Sequence, residues 1–70
     1  LLNGEAWAAA AAFTTAQAQN PQDILPGLGL GTAAVIAGDD AQAAAQYRAV
    51  LQLSPENKTA RRNLKILEEP

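Results

Sequence analysis

In the second half of the chain, apolar residues recur at the spacing of one helical face. Ala43, Ala44, Tyr47, Val50 and Leu51 stand at i, i+1, i+4, i+7 and i+8, while Gln42, Gln46, Arg48 and Gln52 fall elsewhere around the same cylinder. That pattern predicts an amphipathic helix over about 40–53. Gly38 can adopt the left-handed conformation that ends the preceding helix, and Asp39 or Asp40 can accept from the free amides that open the next one. Pro55 cannot continue a helix, and Asn57 is placed to cap another running from Lys58 to about Glu68. The stretches "NGEA" and "NPQD" repeat this punctuation earlier in the chain. Four helices are predicted, over 5–19, 24–37, 40–53 and 58–68, making the chain all-α.

Displaced by 34 residues, the sequence aligns with itself. Gly4 falls on Gly38, Ala9–Ala11 on Ala43–Ala45, Pro21 on Pro55 and Leu30 on Leu64. Conservative pairs fill the gaps: Leu1 with Val35, Leu2 with Ile36, Glu5 with Asp39, Phe13 with Tyr47, and Asp23 with Asn57. Alanine-rich segments match by chance. Chance would not also align both Gly–acid turns, both aromatics and both mid-chain prolines, so the period marks a repeated structural unit.

These residues resemble the tetratricopeptide repeats, whose unit is a helix, a tight turn and a second helix. Leu30-Gly31 is similar to the family's Leu-Gly pair, Gly38 to its inter-helix turn, Ala43-x3-Tyr47 to its Ala-x3-aromatic, and Leu51 and Pro55 to the end of its second helix. Gly4, Ala9, Phe13, Ala16 and Pro21 supply the preceding copy. The chain departs from the family at Gly27, where Trp is frequent, and at Ala34 and Glu68, which stand where an aromatic does. The resemblance implies antiparallel helix hairpins stacked as a right-handed α-α superhelix. Residues 1–21 then end one repeat, 22–55 form a complete one, and 56–70 form a terminal or capping helix. Leu1 and Leu2 match the end of a first helix, so the chain is expected to be an excerpt with further repeats upstream, or to self-associate through its exposed first helix.

Composition narrows the chemistry. A chain of 70 residues, 49% hydrophobic, suffices for one small core. Without cysteine or histidine it has no disulfide framework, thiolate nucleophile or imidazole base, and neither an enzyme, a metal site nor a cofactor is expected. The net charge of −2 does not draw nucleic acid or an acidic membrane from a distance. The absence of cysteine is compatible with cytosol and periplasm alike. Ala16-Gln17-Ala18 has the form of a signal-peptide cleavage site, but Glu5 sits where such a signal carries positive charge, and no Lys or Arg precedes the alanine run. The uncharged stretch from Ile24 to Gly38 is shorter than the ~20 residues that span a bilayer, and Pro26 and four glycines interrupt it.

That same stretch holds Gly27, Gly29 and Gly31 at alternate positions. Gly29-x-Gly31-x-x-Ala34 has the form of a dinucleotide fingerprint, yet Pro26 stands in the strand the motif requires, and the nearest acids follow too soon. No Lys precedes Thr32, which excludes a nucleotide-binding P-loop. Inside a helix each glycine costs ~1 kcal/mol relative to alanine. Gly31 has a reason, since a bare α-carbon there allows the two helices of a repeat to approach. Gly27 and Gly29 have none in the sequence beyond a frayed first turn or the close approach of a partner's backbone.

Stacked hairpins form a superhelix whose inner groove is lined by the first helix of each unit. By resemblance the groove-facing residues are Leu25, Leu28, Thr32 and Val35, followed by Arg62, Asn63, Ile66 and Glu69. Such a surface is expected to bind an extended or helical segment of another protein carrying aliphatic anchors. The alternatives are that Leu25, Leu28 and Val35 contact a neighbouring repeat, that the region is accessory to an enzyme, or that it is a homo-oligomerisation element. A clamp for a carboxyl-terminal tail is disfavoured, because Leu28 and Thr32 occupy the places where the family's clamp carries Lys and Asn. Lys58, Arg61, Arg62 and Lys65 concentrate positive charge in the last helix, but Glu68 and Glu69 follow and no aromatic is interleaved for base stacking, so they read as a solvated, capping face. Asn57-Lys58-Thr59 has the form of a glycosylation acceptor, and Asn57 is already engaged as a cap.

Overall fold

A computed structural model describes residues 4–69. The expectation for Leu1 and Leu2, and the terminal Pro70, lie outside the described residues. The chain forms α1 (Gly4–Gln19), α2 (Ile24–Ala37), α3 (Asp40–Leu53) and α4 (Lys58–Glu68), with no strand among the described residues. α1 opens at Gly4, one residue ahead of the predicted start, so Gly4 belongs to the helix and not to a turn before it. The other three helices have the bounds their punctuation predicts.

The caps predicted for α2, α3 and α4 form, while that of α1 in "NGEA" reaches outside the described residues. The Asp23 carboxylate accepts from the Leu25 amide at 3.0 Å, Asp39 from Gln42 at 3.1 Å, and the Asn57 side-chain oxygen from Ala60 at 2.9 Å. Asp39, not Asp40, is therefore the cap of α3. Gly38 has φ 78°, the left-handed conformation that lets its amide reach back to close α2. Pro26 lies in the first turn of α2, where its missing N–H is harmless.

The two turns that contain proline have the same backbone hydrogen bonds, one period apart. The Asn20 amide donates to the Ala16 carbonyl at 2.9 Å and Asp23 to Asn20 at 3.1 Å; Ser54 donates to Val50 at 2.8 Å and Asn57 to Ser54 at 3.0 Å. At these two turns the 34-residue period is a repeat of local structure as well as of sequence, whereas Gly4 is helical where its counterpart Gly38 is a left-handed cap.

Helices pack in chain order, α1 on α2, α2 on α3, and α3 on α4. Short connections make successive helices antiparallel, and the contacts show it: Gly27 meets Val50 while Gly31 meets Tyr47. The core centres on α3, which contributes Ala43, Ala44, Tyr47 and Val50, joined by Ala34 of α2 and Ala60 of α4. Tyr47 and Val50 are its largest fully buried side chains. Each contributes ~1.5–3 kcal/mol by burial. Ile24, Leu28, Leu51, Leu64 and Leu67 pack around them half-buried.

The alternate glycines of α2 face two different helices. A Cβ at Gly27 would stand 2.8 Å from Val50 Cγ2, and one at Gly31 2.7 Å from the Tyr47 ring, both on the α3 side. At Gly29 it would meet the Phe13 ring of α1 at 2.5 Å. The expectation of a frayed first turn or a partner's backbone at Gly27 and Gly29 is thereby corrected: both lie inside α2 and receive side chains from neighbouring helices. At Gly31 what enters is the Tyr47 ring. α2 is a slender helix with notches on two sides, and the bulk comes from α1 and α3.

Candidate functional site

Because α2 packs on one part of α3 and α4 on another, the two helices flank a shallow concavity. Its volume is about 300 Å³, at the small end for ligand sites. Thr32 and Val35 come from α2, Asn63, Ile66 and Leu67 from α4, and Tyr47 of α3 stands between them. The walls are largely apolar. Val35 and Ile66 keep 45% and 63% of their surface in water, an arrangement that contributes nothing to the core and leaves two aliphatic groups free at the mouth.

Two polar groups at this surface, Thr32 and Tyr47, are fixed by hydrogen bonds. Thr32 Oγ1 donates to the Leu28 carbonyl one turn back at 3.0 Å. It lies 3.4 Å from the Tyr47 hydroxyl, and with its own proton committed to Leu28 it accepts the tyrosine's. Tyr47, 2% exposed, so keeps its hydroxyl satisfied while its ring occupies the space beside Gly31. Asn63 is half-buried on the opposite wall.

The structure brings together Thr32, Val35, Asn63 and Ile66 of the residues expected in the groove. Leu25 is exposed on α2 but lies outside the concavity. Leu28 is half-buried and packs against the core, and Arg62 lines a separate basic surface on α4 with Lys58, Arg61 and Lys65. Tyr47 and Leu67 line the concavity without having been expected there. Tyr47 carries the helical-face spacing that marks it as a core residue, which it also is, and Leu67 is half-buried against that core.

Among the described residues no group of acidic side chains is arranged to hold a metal ion, and no helix is long and apolar enough to cross a membrane. No family model, no curated protein and no solved structure matches the chain.

Proposed function

We propose that this chain is a stretch of tetratricopeptide-like solenoid that holds a segment of a partner protein in the groove between α2 and α4. The observation that carries the reading is the pair Val35 and Ile66, two exposed aliphatic side chains facing one concavity from helices one period apart. The matching turns at Pro21 and Pro55 and the packing of helices in chain order support a stack of hairpins, to which the family resemblance adds the right-handed superhelix. A segment with aliphatic anchors separated by small or polar residues complements these walls, and Asn63 offers it a hydrogen-bonding group.

Selection from a library of displayed peptides tests the reading. The parent chain enriches sequences with aliphatic anchors, a Val35→Gln/Ile66→Gln variant loses them, and Leu53→Gln, which changes an exposed leucine at the end of α3, retains them. Enrichment of the same peptides by parent and groove variant overturns the proposal. A mass that rises with concentration for the parent, and not for the groove variant, replaces the partner segment with a second copy of the chain.

A further inference from the structure

The 34-residue period sets α4 in register with α2 and reveals where the two differ. Ile24, Gly27, Gly31 and Ala34 belong to the row of α2 that packs into the core, two of them notched for Val50 and Tyr47. Their counterparts in α4 are Lys58, Arg61, Lys65 and Glu68. Where α2 has glycines that admit α3, α4 has an arginine and a lysine, so the close approach that α3 makes to α2 has no counterpart on that face.

Lys58, Arg61, Arg62 and Lys65 follow the i, i+3, i+4, i+7 spacing of a single stripe, and all are exposed. They are four of the chain's five basic residues and line a shallow surface of their own. Among the described residues Lys58, Arg61 and Arg62 form no ion pair, and Lys65 has Glu69 of its own helix at 4.0 Å. The arrangement works against the helix that carries it. Each cation has another three or four residues away, and Lys58 and Arg61 stand near the positive end of the helix dipole, in a first turn without an acid. An anionic partner relieves both repulsions.

We infer that the outer face of α4 is a docking surface for an acidic segment of a partner protein. Charge complementarity selects the occupant: the stripe is ~10 Å long, the span of a short run of carboxylates along an extended chain, and the guanidinium of Arg61 or Arg62 can hold a carboxylate through two parallel N–H···O bonds. Nucleic acid is the poorer match. α4 has no aromatic on which a base could stack, whereas a run of carboxylates needs only the cations.

Fluorescence anisotropy of a labelled oligoglutamate, titrated with the 70-residue chain, tests the inference. The parent binds saturably at low ionic strength and more weakly as salt is added. Arg61→Glu/Lys65→Glu weakens binding about tenfold or more, the loss of two exposed ion pairs at the strong end of their range. Arg61→Gln/Lys65→Gln weakens it less and serves as the readout if the double reversal loses helicity by circular dichroism. The charge-neutral groove variant Val35→Gln/Ile66→Gln binds oligoglutamate as the parent does, which separates this surface from the groove. Absence of binding at low ionic strength, equal affinity in the folded charge variants, or tighter binding of a labelled single-stranded oligonucleotide overturns the inference.

Discussion

Tyr47 fills the place of the side chain that Gly31 lacks: a Cβ there would stand 2.7 Å from ring atoms Cε1 and Cζ. With 2% of its surface exposed, the ring is held by packing on nearly every side and by the hydrogen bond of its hydroxyl to Thr32. Alanine at this position gains ~1 kcal/mol of helix propensity and loses ~1–3 kcal/mol by overpacking. The melting temperature of Gly31→Ala therefore falls, and that of Gly31→Leu falls further. In a Tyr47→Leu background the space opens and the alanine raises the melting temperature instead. Thermal melts of these variants and the parent check the reversal of sign.

Gly29 stands in the same relation to Phe13 of α1, with one difference. The Phe13 ring is half-buried and can move outward, so Gly29→Ala costs less than Gly31→Ala although its Cβ would come as close as 2.5 Å. Phe13→Leu removes the remaining penalty. Denaturant midpoints for the two alanine variants rank the two contacts directly.

At Gly38 the turn between α2 and α3 depends on backbone conformation and not on side-chain packing. Gly38 has φ 78°, and nothing lies within 4 Å of where a Cβ would be. Gly38→Ala destabilises by ~1–2 kcal/mol, and Gly38→Asn by less, because a short polar side chain tolerates the left-handed region. Equal stability of the two variants in chemical denaturation contradicts this assignment.

Caps on different helices have different consequences. Asp39→Ala and Asn57→Ala each remove one hydrogen bond to a first-turn amide, at ~1 kcal/mol. α3 carries most of the core, so losing the Asp39 cap lowers the stability of the whole chain. α4 packs chiefly on α3, at the edge of the described helices, and losing the Asn57 cap frays it locally. Amide hydrogen exchange distinguishes the two: Asn57→Ala accelerates exchange in α4 and leaves α2 unchanged, whereas Asp39→Ala accelerates exchange throughout.

The helices were legible in the sequence because their ends are local chemistry. Asp23, Gly38, Asp39, Pro55 and Asn57 act on amides and carbonyls within a few residues, and a one-dimensional pattern contains all that such contacts need. Gly27 and Gly29 were not legible in this way. A glycine records only the absence of a side chain, and the residues that occupy the space, Val50 and Phe13, lie 23 and 16 positions away on other helices. The groove was legible in part for a related reason. Leu25, Leu28, Thr32 and Val35 share one side of α2, and only the position of α4 decides that Val35 lines a concavity while Leu28 is drawn into the core and Leu25 is left outside.

Nuclear Overhauser contacts from the α-protons of the alternate glycines test most directly the arrangement on which both surfaces depend. With α2 wedged between its neighbours, Gly29 shows contacts to the Phe13 ring and Gly31 to the Tyr47 ring, both sets shifted upfield by the aromatic they face. Contacts from both glycines to a single helix, or to neither ring, would show that α2 does not lie between α1 and α3 and would remove the basis for the groove beside it.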